Sequence, residues 1–268
     1  MKIGIVGAGG RMGLTNIKAV SAHPDLTLVA AIDRPGSPVI GKDVGLLAGG
    51  EETGIVIGDD VEALISAADA IIDFTAPAVS VDLARRIAAK GLIHIVGTTG
   101  CSPQDDAAIA QAAEDGARIV KSGNFSLGVN LLAALVKKTA QTLDIDFDIE
   151  ILEMHHRHKV DAPSGTALLL GEAAAEGRGI ELAAHSVRVR DGHTGAREPG
   201  SIGFATLRGG GIVGEHSVLF SSTAETVTFS HSARDRSLFA DGALRAALWA
   251  ADKPKGLYSM ADVLGLTD

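Results

Sequence analysis

The chain of 268 residues has one cysteine, Cys101, so no internal disulfide can form. That composition fits a reducing compartment. Cys101 follows Gly100 in a predicted turn and reads as an incidental thiol rather than a nucleophile. Positive charge is also scarce: the formal net charge is −9. An acidic surface is not drawn to nucleic acid or anionic membrane, so neither is expected as a partner. No apolar run approaches the ~20 residues of a membrane helix. The N-terminus enters a strand at once and shows no signal-peptide pattern, so a cytoplasmic location is expected. Internal repeats, low-complexity tracts and long linkers are missing too. Apolar residues are abundant, at 46%, which allows a full core in one large domain or two ordinary ones.

The first half alternates short apolar runs with amphipathic stretches. Lys2–Val6, Leu26–Ile32, Ala70–Phe74, Leu92–Val96 and Ala117–Lys121 are predicted strands. Helices are predicted over Gly10–Ala22, Val61–Ala67, Val79–Lys90 and Gln104–Asp115, and Pro35–Glu52 is predicted to be a loop with one helical turn. Continuous apolar strands between helices indicate a parallel sheet covered on both faces, the doubly wound α/β arrangement of the Rossmann type. After Ser126 the pattern changes. A long helix, Leu127–Leu143, precedes a strand, Asp146–Met154, and a helix from Ser164 to about Glu176. Strand-like runs follow at Ser186–Arg190, Ile202–Leu207, Ile212–Ser221 and Thr226–His231. Val227 and Phe229 alternate with Thr226, Thr228 and Ser230, giving that sheet one polar face. This is a second, α+β domain with a mixed open sheet. A last helix, about Ser237–Ala251, and a short tail are expected to return to the first domain. The boundaries are therefore 1–126 plus 237–268 for a dinucleotide-binding domain and 127–236 for a substrate-binding and oligomerisation domain.

Glycines follow the first strand at Gly7, Gly9, Gly10 and Gly13. The turn is too tight for a Cβ, and the backbone must approach a pyrophosphate closely. The helix start then offers free N–H groups and a positive dipole end. The spacing is G-x-x-G-x-x-G, with Met12 where the stricter pattern has its last glycine. About 20 residues on, at the end of the second strand, stand Asp33, suited to ribose hydroxyls, and Arg34, suited to a 2′-phosphate. Both together suggest tolerance of NADH and NADPH. Three more polar turns end later strands: Asp73-Phe74-Thr75-Ala76-Pro77, Gly97-Thr98-Thr99-Gly100 and Ser122-Gly123-Asn124-Phe125. Ligands of open α/β sheets bind at that edge.

Residues 155–159 read His-His-Arg-His-Lys, and Pro163-Ser164-Gly165-Thr166 begins a helix just beyond. Such a cluster is costly in an acidic protein unless an anion offsets it. One reading is a solvated strand end. A second is a metal site on one strand face from His156 and His158, with Glu153 or Asp161 as oxygen ligands; Arg157 and Lys159 oppose it. The third is anion binding with proton transfer, because histidine titrates near neutrality and a helix start holds carboxylates. No metal is expected.

With Gly7-Ala8-Gly9-Gly10-Arg11-Met12-Gly13, Asp73-Phe74-Thr75, Gly97-Thr98-Thr99-Gly100 and Asn124 to Asn130 in view, the chain resembles the dihydrodipicolinate reductases. The most specific match runs from Glu153 through His155 and Lys159 to Ala167, and the likeness extends over the whole chain. The resemblance implies NADH or NADPH held by Gly7, Ala8, Gly9, Gly10, Arg11 and Met12, with Asp33 and Arg34 at the ribose. It places Gly97, Thr98, Thr99, Ser122, Gly123, Asn124 and Phe125 at the nicotinamide end. His155 and Lys159 would be the acid/base groups. His156, Gly165 and Thr166 would bind a small dicarboxylate substrate. It further implies a homotetramer built through the second-domain sheet. Asp33 is shorter than the glutamate often found there, so cofactor preference stays open. A nucleotide sensor, another two-domain dehydrogenase and a metal-dependent hydrolase are the competing classes.

Overall fold

The computed structural model describes residues 1–267. The chain divides into two units, Met1–Ser126 with the segment from Ser237 on, and Leu127–Arg236. In the first unit, Lys2–Val6 (β1) leads through a glycine turn into Arg11–Ala22 (α1), followed by Thr27–Ile32 (β2). A loop with the single turn Val44–Leu47 (α2) precedes Val61–Ala67 (α3) and Ala70–Asp73 (β3). Pro77–Ala88 (α4), Ile93–Val96 (β4), Pro103–Asp115 (α5) and Arg118–Lys121 (β5) complete the alternation. α5 starts where its sequence dictates. Pro103 occupies the first turn, and Ser102 and Asp105 cap each other's backbone N–H groups.

All these strands pair in parallel, and β3 and β4 are buried along their whole length. That explains why they carry no polar alternation. Ile71, Ile87, Val96, Ile109 and Ile119 form the core between sheet and helices. Each buried side chain of this size contributes about 1.5–3 kcal/mol relative to exposure.

The second unit begins with Leu127–Thr142 (α6) and Asp148–His155 (β6). Gly165–Arg178 (α7) starts at Ser164, whose hydroxyl accepts from the Ala167 N–H, and stops at Gly179 in the left-handed conformation. Leu182–His185 (α8), Ser186–Val187 (β7), Ile202–Arg208 (β8), Gly214–Ser221 (β9) and Thr226–Ala233 (β10) follow. The sheet order is β10-β9-β6-β8-β7, with β6, β7 and β8 parallel and β9 and β10 antiparallel. Burial alternates along β6 and β9, as a sheet with one covered face requires. Ile149, Ile151, Val218 and Phe220 pack beneath Val136 and Leu170 of the two long helices.

The chain then returns to the first unit through Ser237–Ala250 (α9), which lies against α1, β4 and β5. The tail is more than a tail. Gly256–Tyr258 (β11) extends the sheet beside β5, giving the order β11-β5-β4-β3-β1-β2, and Met260–Leu264 (α10) closes it with a Ser259/Asp262 capping box. Two sequence expectations are corrected. The strand expected at Ser186–Arg190 is only two residues long, and α8 was not anticipated. No helix among the described residues is long and apolar enough to cross a membrane.

Candidate active site

In the first unit the strand order reverses between β1 and β3, and a cleft opens outside the carboxyl ends there. Its volume is about 610 Å³, and Gly7, Gly10, Asp33, Arg34, Phe74 and Thr75 are among its walls. Gly7 sits at φ +74°, a left-handed conformation that favours glycine. Its carbonyl accepts from the Gly10 N–H at 2.9 Å, closing the turn. A Cβ on Gly13 would lie 2.1 Å from that carbonyl oxygen, so only glycine lets α1 pack this close. Gly13→Ala is expected to destabilise the first unit by ~1–3 kcal/mol and to weaken dinucleotide binding, read by thermal melting and NADH titration. An unchanged melt would refute the packing argument.

Asp33 anchors the turn from the neighbouring strand. Its carboxylate accepts from the Gly9 N–H at 2.7 Å and from the Arg34 N–H at 2.8 Å. The Arg34 side chain is exposed and forms no ion pair among the described residues. No side chain caps the start of α1, which leaves its first N–H groups for an anion. Arg11 and Met12 lie in that first turn. The open cleft, uncapped helix start and glycine turn fit a dinucleotide.

The other predicted cofactor residues lie at the ends of β4 and β5, on the same sheet edge, and do not line this cleft. They are tied to it. Thr98 accepts from the Thr75 N–H at 3.0 Å, and Phe125 packs on Phe74 with ring centroids 5.5 Å apart. Gly97 is required because a Cβ there would come 2.3 Å from the Phe74 ring. Thr99 and Gly123 are exposed, and the Ser122 hydroxyl donates to the Asn124 carbonyl at 2.7 Å. Sequence reading did not single out Asp59, which joins the cleft wall.

The second unit holds the titratable cluster. Glu153 and His155 both point to the covered face of β6, in register with Ile149 and Ile151. The His155 Nδ1 lies 2.5 Å from Glu153 Oε2. Arg208, paired with His155 across β6 and β8, grips both carboxylate oxygens at 2.8 Å. The Ser164 N–H adds a bond to Oε1 at 3.0 Å. Burial opposes charge on Glu153, but the bonds from Arg208 and His155 outweigh it and hold the carboxyl below its ordinary range. Gly214 faces the other ring nitrogen; a Cβ there would sit 3.2 Å from His155 Nε2.

His216 completes the group. Its Nε2 is 3.1 Å from the Ser164 hydroxyl, and its ring meets that of His155 edge-on at 5.1 Å. Burial, then the neighbouring His155, push its pKa down to about 4, so it stays neutral at working pH. Glu153 thus holds His155 directly, Arg208 and Ser164 hold Glu153, and His216 packs edge-on against the ring.

Lys159 is placed differently. It lies in the loop after β6 and bonds Asp161 at 2.9 Å. His156 and His158 were expected on one strand face for the metal alternative; β6 ends at His155, so both lie in the loop. No group of three or more metal-ligating side chains is found among the described residues. The buried His156 Nδ1 has no hydrogen-bond partner among the described residues. Desolvation, then Arg236 and His155, lower the His156 pKa. Gly165 opens α7, and a Cβ there would meet nothing within 4 Å, so packing does not demand this glycine. Thr166 follows it, half-buried.

Two family descriptions match this chain: "Dihydrodipicolinate reductase, N-terminus" over residues 1–125 and "Dihydrodipicolinate reductase, C-terminus" over residues 128–264. The chain belongs to the dihydrodipicolinate reductase family. It is 60% identical over 268 residues to the 4-hydroxy-tetrahydrodipicolinate reductase of Rhizobium rhizogenes, covering 100% of this chain and 97% of that one. It is 59% identical over 267 residues to the reductase of Brucella abortus, covering 99% of each. Among solved structures, the dihydrodipicolinate reductase of Paenisporosarcina sp. TG-14, bound to dipicolinate, aligns with a TM-score of 0.75 at 23% identity, covering 98% of both chains. An amine dehydrogenase from Mycobacterium smegmatis shares the fold at a TM-score of 0.66, with 15% identity and coverage of 97% of this chain and 95% of that one. The likeness to those two structures is one of fold. As a dihydrodipicolinate reductase family member the chain is an oxidoreductase built on a Rossmann-type domain.

Proposed function

We propose that the protein reduces 4-hydroxy-tetrahydrodipicolinate to tetrahydrodipicolinate with NADH or NADPH, in lysine and diaminopimelate biosynthesis. The observation that carries this reading is the clamped Glu153–His155 pair, with Nε2 kept clear by Gly214, in a chain 60% identical to a reductase of that name. The dinucleotide would be held by the Gly7–Met12 turn, Asp33 and Arg34, with Gly97–Thr99 and Ser122–Phe125 at its nicotinamide end, and it supplies the hydride.

The substrate is a ring carrying two carboxylates. The N–H groups of Gly165 and Thr166 would bind one of them, with His156 beside it. The dipicolinate on the Paenisporosarcina enzyme has the same two-carboxylate ring chemistry. The ring hydroxyl leaves as water to give a conjugated imine; when hydride then adds to the ring carbon, negative charge moves to the imine side, and a proton must arrive. The Glu153 carboxylate takes the Nδ1–H of His155 and stabilises the imidazolium, so Nε2 can deliver that proton. Lys159 supplies a second cation. Its bond to Asp161 uses one of three ammonium protons and leaves the rest for the substrate.

The test follows NADH and NADPH oxidation with substrate made in situ from pyruvate and aspartate semialdehyde by the preceding synthase. Rapid oxidation, insensitive to chelator, is expected. No oxidation by protein that binds a dinucleotide would sink the reductase reading.

A homotetramer and a cytoplasmic site of action are part of the same proposal. The uncovered face of the second-unit sheet carries Leu152, Met154, Leu207 and Leu219, none fully buried in the single chain. Leu207 is 50% exposed. Light scattering is expected to give four copies, and Leu207→Arg to shift the mass to smaller species. A wild-type monomer would end this part of the reading.

A further inference from the structure

Among the described residues, the buried strand positions of the first unit are apolar with two exceptions. His94 on β4 and Asp73 at the end of β3 are both 0% exposed. His94 Nε2 lies 3.2 Å from Asp73 Oδ2. The Ser80 hydroxyl donates to the same oxygen at 2.6 Å. Asp73 Oδ1 takes the Thr75 hydroxyl at 2.6 Å and the Thr75 N–H at 3.1 Å. Thr98 Oγ1 is 2.7 Å from the Ser80 hydroxyl and accepts from the Thr75 N–H at 3.0 Å. One buried carboxylate therefore ties together the turns after β3 and β4.

The cost of this arrangement is visible. His94 Nδ1 is buried without a partner among the described residues, an expense that an isoleucine would avoid. Burial opposes the charge on Asp73, and His94, Ser80 and Thr75 outweigh it and hold its carboxyl low. What the cluster secures is position. Thr75 lines the cleft, and its methyl would lie 2.8 Å from a Cβ on Gly7, so it also sits directly against the glycine turn.

Building on the reductase reading, we propose that His94 and Asp73 are positioning residues for the dinucleotide. They hold the Thr75 and Thr98 turns at the spacing the cofactor needs, acting through those turns. Both oxygens of the buried Asp73 carboxylate are engaged, which fixes the turns they bond, and removing a donor leaves the carboxylate to reorganise.

The test compares His94→Leu, which removes the donor at similar volume, with His94→Gln, which restores an N–H near Nε2. NADH affinity is measured by fluorescence titration without substrate, alongside steady-state kinetics and thermal melting. His94→Leu is expected to raise the NADH Kd and KM about tenfold, with the KM for the ring substrate within about twofold of wild type. His94→Gln is expected to return the Kd to within about threefold. Ser80→Ala removes the second donor to the same oxygen and is expected to weaken NADH about threefold or more, which serves if His94→Leu does not fold. Unchanged NADH affinity in a folded His94→Leu or in Ser80→Ala, or a His94→Gln as impaired as His94→Leu, overturns the positioning role. A wild type that binds neither dinucleotide overturns the reductase reading itself, and the positioning role with it.

Discussion

His155→Gln is expected to lower kcat by about 10²–10⁴ while NADH affinity and melting temperature stay near wild type. The size follows from the role. His155 is the titratable ring whose Nδ1 is taken by a buried carboxylate and whose Nε2 is left clear. Glutamine has similar reach but cannot give up a proton at working pH. Folding is spared because Glu153 keeps two bonds from Arg208 and one from the Ser164 N–H. One lost hydrogen bond costs only ~1 kcal/mol. Lys159→Ala, from a group fixed by Asp161 in an open loop, is expected to cost less, about 10–100-fold. The check is single-turnover kinetics beside NADH titration. A His155→Gln enzyme within tenfold of wild type would move the acid elsewhere, with Lys159 the first place to look.

The division between what the sequence revealed and what it hid follows sequence separation. β1, α3 and the glycine turn were legible because each is decided by a few adjacent residues. The cluster at His155 to Lys159 stood out because like charges rarely gather without an anion. Arg208 did not, although it holds the buried carboxylate of Glu153. It lies 55 positions from Glu153, and only the β6–β8 register brings the two together. His216 and Ser164 are 52 apart and meet because the β6–β9 register sets His216 opposite Glu153, whose carboxylate accepts from the Ser164 N–H. β11 is three residues that become a strand by pairing with β5, more than a hundred positions earlier. In the other direction, local reading placed His156 and His158 on a strand face, when β6 runs out at His155. Charge patterns identify a site; register decides which members of it touch.

Glu153→Gln is expected to destabilise the protein by roughly 1–3 kcal/mol at pH 7, a drop of roughly 2–12 °C in melting temperature. The substitution keeps shape and removes charge. The Arg208 guanidinium, which holds both oxygens at 2.8 Å, then faces a neutral amide in a site where Glu153 is 1% exposed. The guanidinium keeps its bonds to the Leu207 and Asp161 carbonyls and some solvent, so what is lost is its charged bonds to Glu153. The pH dependence separates this from simple misfit. Glu153 has a folded-state pKa below its unfolded value of about 4.3, so its contribution is fully present above that value and is lost as pH falls through the folded pKa. His216 acts in a higher window. Its folded pKa of about 4 lies below the ordinary 6.5, so the unfolded chain binds the extra proton and stability declines as pH falls between those two values. That decline is common to wild type and variant, apart from the small part Glu153 itself plays in it. The difference between the two proteins should therefore hold from pH 7 to about 5 and shrink below about 4.3. Urea denaturation across that range measures it. A gap that stays constant to pH 3 would mean that packing, not the charge on Glu153, is what the variant lost.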